Sequence, residues 1–87
     1  AGFYQVTFEF ERDSEKQGEF GSVDIAYATE VLAAGTISDS CFDGKKGKVV
    51  LTVEITEDDT EPLLEFRTSI TGADDSLRQT AVTIEQQ

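Results

Sequence analysis

The feature that most constrains this chain is a strict alternation of apolar and polar residues over positions 3–11. One side of the alternation holds Tyr4, Val6, Phe8 and Phe10, and the other holds Gln5, Thr7, Glu9 and Glu11. Successive side chains of a β-strand point to opposite faces of the sheet, so a period of two with aromatic and β-branched residues is typical of a half-buried strand. We therefore predict a strand over residues 3–11, followed by a solvated loop over residues 12–18.

Three later segments carry the same signal and are predicted as strands: 48–56, 63–71 and 79–85. An acidic turn separates the first two, so they are predicted to pair as a hairpin. A second turn, over residues 72–76, leads into the third. The side chains expected to point inward are Val49, Leu51, Val53, Ile55, Leu64, Phe66, Ile70, Val82 and Ile84.

The segment 22–34 is compatible with two structures. Ser22 could cap a helix, Gly35 could end it, and the segment is rich in alanine, which favours helix. Val23, Ile25, Tyr27, Thr29 and Val31 also alternate as a strand would. We predict the helix, because so many alanines suit a strand poorly.

The predicted fold class is therefore α+β: one domain over residues 1–87, with a four-stranded antiparallel sheet and one helix packed on its apolar face. Residues 36–48 are predicted to be a loop. If 22–34 is a strand instead, the fold becomes a five-stranded all-β sandwich or barrel.

The charge of the chain restricts its partners. The 87 residues include 18 Asp and Glu, 7 Lys and Arg and no His, which gives a net charge of −11. Such a surface repels phosphates, so direct binding to nucleic acid or to an anionic membrane is not expected. No apolar run approaches the roughly 20 residues of a membrane-spanning helix. A domain of this size gains buried area by dimerising, so a homodimer is among the expected partners.

The residues offer little for catalysis or for metal binding. A nucleophile usually needs an adjacent base, most often His, and the chain has none. From Asp39 to Gly44 the sequence matches half of a calcium loop, but Cys41 and Val50 stand where that loop needs oxygen ligands. We predict no catalytic residue, no metal site and no cofactor, and hence no enzyme. The single Cys41 cannot form an internal disulfide, which favours the cytoplasm.

The acids cluster in two predicted turns, and this clustering suggests a function. We predict a non-enzymatic interaction domain that binds a basic protein, with an inhibitor or regulator that imitates nucleic acid as its most specific form. Two alternatives are a small-molecule or Ca²⁺-binding domain and a structural oligomer subunit with a salt-adapted acidic surface. The residues proposed to contact the partner are Glu57, Asp58, Asp59, Glu61, Asp74 and Asp75.

Overall fold

The computed structural model describes residues 2–27, 30–55 and 64–87, and these residues form strands almost throughout. A three-residue 3-10 turn at Asp39–Cys41 is the one helical element that they contain. The strands are β1 (Gly2–Glu11), β2 (Glu19–Tyr27), β3 (Glu30–Ser38), β4 (Phe42–Asp43), β5 (Lys46–Ile55), β6 (Leu64–Ile70) and β7 (Arg78–Gln86). No described helix has the length and apolar character needed to cross a membrane.

The strands form two antiparallel sheets. The first sheet has the order β4-β5-β1-β7, and the second has the order β3-β2-β6. Alternate residues of both sheets contribute to one apolar core, as in a β-sandwich. The central strands supply its most deeply buried members, with Val6, Phe8 and Phe10 on β1 and Val23 and Ile25 on β2.

The predicted strands at 3–11, 48–56, 63–71 and 79–85 are confirmed to within a few residues at each end. The turn over residues 72–76 and the loop over residues 12–18 are also confirmed, but the prediction that this loop is solvated is wrong at Arg12, which is buried. The predicted pairing of 48–56 with 63–71 is wrong, because β5 belongs to the first sheet and β6 to the second. The acidic turn between them, residues 57–62, lies outside the described residues.

The predicted α+β fold is wrong, because the described residues of that segment, 22–27 and 30–34, form most of β2 and the first part of β3 rather than a helix on a four-stranded sheet. The alternation of Val23 and Ile25, both fully buried, outweighs the helix propensity of the alanines. The all-β alternative has the right class but too few strands. The loop predicted over 36–48 is also wrong, since that segment ends β3, forms β4 and begins β5.

The small residues that suggested a helix instead allow the two sheets to approach each other. Ala33 packs against the core, and Gly35 lies where a Cβ would stand 2.8 Å from Cγ1 of Val49 and 3.1 Å from Cδ2 of Leu51. A larger side chain at Gly35 would hold β3 away from β5. Propensity therefore misidentified the segment because its small residues serve close packing between the sheets.

Candidate functional site

Of the six acids predicted to contact a partner, the structure describes only Asp74 and Asp75. Residues 57, 58, 59 and 61 lie outside the described residues. Asp75 is exposed, but its neighbour Asp74 is buried. A carboxylate that is buried and saturated with internal hydrogen bonds is not available to a partner protein, so Asp74 has a structural role.

Asp74 joins two connections at one end of the molecule: residues 12–18, between β1 and β2, and residues 71–77, between β6 and β7. Its side chain accepts hydrogen bonds from the Ser14 hydroxyl and from the Ser76 hydroxyl, the latter at 2.7 Å. The Ser76 amide donates to the same carboxylate at 3.0 Å. These bonds, led by the one from Ser14, hold the pKa of Asp74 below its usual value because they stabilise the charged form.

Arg12 completes this end of the core. It is buried, and its guanidinium carbon lies 4.5 Å from the ring centroid of Phe42 and 5.4 Å from that of Phe20, which allows cation–π attraction to both rings. Its Nη1 donates to the Lys16 carbonyl at 2.7 Å and lies 3.9 Å from the Asp74 carboxylate. The arginine thus packs inside the domain and, like Asp74, contributes no charge to a surface.

The half-matched calcium loop folds as a hairpin. Asp43 pairs with Lys46 across a two-residue turn, in which Gly44 has a positive φ of 65°. Asp39 is engaged elsewhere, since its carboxylate accepts the Gly18 amide at 2.7 Å. In the described part of the chain, no three Asp, Glu, His or Cys side chains converge on a point where they could hold a metal.

Beside this hairpin lies a surface depression of about 290 Å³. Its walls include Glu9, Cys41, Phe42 and Lys48. The Cys41 thiol is half-buried and donates to the Thr36 carbonyl at 3.5 Å. Glu9 and Lys48 are direct cross-strand partners, so their charges balance each other. These surroundings give Cys41 the role of a small packing residue.

The side of the sandwich formed by β6 and β7 is open. Register places Phe66 beside Ile25 of β2 and Val82 beside Phe8 of β1, so both side chains lie on the inner faces of their sheets. Phe66 and Val82 are nevertheless 36% exposed each. Two further apolar residues on the same inner faces are also exposed, Ile70 by 40% and Ile84 by 50%. We call these four side chains the open side.

Two further features describe the open side. Both β6 and β7 are edge strands of the described sheets, so each presents backbone N–H and C=O groups along one edge. The strands are linked where Thr68 donates a hydrogen bond to Gln79, and Arg67 of β6 pairs with Asp24 at 2.7 Å. The hydrogen bond that Arg67 donates to Asp24, together with the negative charge of Asp24, raises the pKa of Arg67, which stays fully protonated.

Sequence reasoning identified the inward direction of the open-side residues but predicted that they are buried, and that prediction is wrong. All nine residues of β7 are exposed, including Val82 and Ile84. One signal was available in the sequence. Residues 78–86 contain a single Ala and two larger apolar residues, with no aromatic ring, whereas β1 places an aromatic ring or Val at every inward position from Tyr4 to Phe10.

Comparison with protein-family models, with curated proteins and with solved structures finds no match for this chain. A function must therefore be argued from the geometry alone.

Proposed function

We propose that this chain is a non-enzymatic protein-interaction domain and that its open side is the binding surface. The observation that carries the proposal is the exposure of Phe66, Ile70, Val82 and Ile84, which point inward and yet lie uncovered. An apolar surface bordered by two strand edges is a typical site for adding a strand from another chain, and no other described strand pairs with the outer edges of β6 and β7. Backbone hydrogen bonds would supply affinity there, and the apolar side chains would supply specificity.

The predicted basic partner remains a separate prediction. It rests on Asp75 and on four acids outside the described residues, because Asp74 is engaged inside the domain. The acidic surface favours solubility. It also repels other acidic proteins, so such proteins could approach this domain only at a part of its surface that carries little charge. We propose the cytoplasm as its compartment, supported by the lone thiol of Cys41.

Site-specific photo-cross-linking tests the proposal in cells that produce the protein. A photoreactive phenylalanine analogue replaces Ile84 on the open side. In the control it replaces Val50, which lies in the same sheet but points to the outer face and is 43% exposed. The two positions are therefore matched in exposure and in apolar character.

We expect a discrete cross-linked species from position 84 and none from position 50. Equal yields from both positions, or no product from position 84, would contradict the proposed binding surface. Circular dichroism of both labelled proteins establishes that each is folded.

A further inference from the structure

We infer that the partner of the open side is a second copy of this chain, joined through antiparallel pairing of the two β7 strands. This inference rests on the proposed function and names one binding partner for the open side. Strand β7 is nine residues long, and among the described strands only β1 pairs with it. No other strand of the described residues pairs with its outer edge, and every other copy of the chain supplies an identical edge.

Charge is the first argument for a second copy. Two molecules that each carry a net charge of −11 repel each other at most orientations. Strands β6 and β7 together contain Glu65 and Glu85 against Arg67 and Arg78, so these two strands add no net charge of their own. A basic partner would be attracted to the acidic remainder of the molecule instead. The open side is therefore a place where two like-charged copies can meet without a large electrostatic penalty.

The register of β7 gives the second argument. Ala81 lies opposite Glu9 and Gln79 lies opposite Phe10, so Thr80 is an extra, bulged residue. Because of this bulge, Arg78 lies on the same face as Glu85, although seven positions separate them. Arg78 is paired with Glu11 of β1 and Glu85 with Gln5, which share the outer face of the sheet.

A two-fold axis that is perpendicular to the sheet and lies midway between the two Val82 residues would therefore make the contact self-complementary. In that register Val82 meets its own copy, Ala81 meets Thr83, and the bulge brings Arg78 opposite Glu85 of the second molecule. The axis generates this ion pair twice and keeps both inner faces on one side, as a closed two-fold dimer requires. Val82 of each copy lies directly opposite Val82 of the other copy and diagonally beside its Ile84, in a continuous eight-stranded sheet.

A contact of nine residues per chain is smaller than a standard interface, so we expect association that is about micromolar or weaker. Sedimentation equilibrium at physiological salt, from micromolar to millimolar protein, measures it. The test uses Arg78→Glu and Glu85→Arg, each alone and then mixed in equal amounts. Arg78 pairs with Glu11 and Asp13 within the molecule, so its replacement removes two internal ion pairs, whereas Glu85 has no ion pair within the described residues. Circular dichroism therefore verifies that both variants are folded.

Each variant alone places like charges opposite each other twice, so we expect self-association to weaken at least about tenfold. The mixture restores both pairs in a heterodimer, and we expect it to associate about as well as the unmodified protein. If the unmodified protein stays monomeric, the second copy is excluded as the partner. If the mixture associates no better than either variant alone, the register is excluded.

The photo-cross-linking experiment separates failure of this inference from failure of the proposed function. A product from position 84 with twice the mass of the chain agrees with the second copy. A product from position 84 that contains another protein contradicts the second copy and leaves the open side as the binding surface. No product from position 84 contradicts both.

Discussion

Strand β1 has a neighbour on each side, and the two neighbours differ in how they are covered. Val6 pairs with Leu51 of β5 on one side and with Ile84 of β7 on the other, and all three side chains point to the same inner face. Leu51 is 8% exposed, whereas Ile84 is 50% exposed. The difference arises in the second sheet, because β3 packs closely over β5 and no described strand covers β7 to the same extent.

This comparison shows that pointing inward and being buried are separate properties. Alternation along a strand decides which face a side chain occupies. Burial needs in addition that the facing sheet extends over that position. The β3–β5 side of the sandwich meets both conditions, and the β6–β7 side meets only the first.

The largest expected difference between the two sides is in the cost of truncating an inward side chain. We expect Leu51→Ala to lower the free energy of unfolding by about 2–5 kcal/mol, because it opens a cavity in packed core. We expect Ile84→Ala to lower it by about 1 kcal/mol or less, because half of that side chain is already in water. Urea denaturation at submicromolar protein measures both monomers. Equal costs would show that the two sides are covered alike.

Strands β1, β5 and β7 of the first sheet could be predicted from the sequence because each has an alternation of its own, whereas the two-residue β4 has none. The positions Val6, Phe8 and Phe10 were assigned to the core correctly for the same reason. The open side could not be predicted, because it depends on which strands the second sheet places above β7. That is a property of sheet order. The low apolar content of residues 78–86 agrees with weak burial, but it does not determine which strand lies above Val82 or Ile84.

The helix predicted over 22–34 failed for a related reason. Ala33 was interpreted by its helix propensity and Gly35 as the residue that ends the helix, whereas their small size serves the contact between β3 and β5. The buried role of Asp74 was also inaccessible, since Ser14, which hydrogen-bonds to it, lies 60 residues away in the chain. A contact with one residue that is distant in the sequence leaves no trace in the amino-acid composition of a segment or in its hydrophobic periodicity.

A second, smaller effect tests the close packing of the β3–β5 side. We expect Gly35→Ala to lower the free energy of unfolding by about 1–2 kcal/mol, because the new Cβ would crowd the side chains of Val49 and Leu51. The loss of unfolded-state entropy in the glycine-to-alanine change offsets part of that cost. The control is Ala34→Val on the same strand, which is exposed and should change stability by about 0.5 kcal/mol or less. A neutral Gly35→Ala would mean that β3 can move away from β5 freely.

The smallest expected effect concerns the polar link at the end of the open side. The β3–β5 side is held by apolar contacts, which do not titrate, whereas β6 and β7 are connected through residues 71–77, which Asp74 ties to residues 12–18. The pKa of Asp74 is lower in the folded protein than in the unfolded chain, where it is about 3.9. Its stabilising contribution is therefore complete above about pH 5 and is lost as the pH falls through the folded pKa.

We therefore expect Asp74→Asn to be less stable than the unmodified protein at pH 7. The difference should begin to shrink below about pH 4, where the carboxylate of the unfolded chain becomes protonated, and should vanish below the folded pKa, where both states are protonated. Urea denaturation at a series of pH values measures the difference, and Asp75→Asn, at the exposed neighbouring residue, is the matched control. Hydrogen exchange should show that amides of β7 lose protection in acid before those of β5, because the link is local to the open side. A constant stability difference across this pH range would mean that the Asp74 charge does not hold the two connections together.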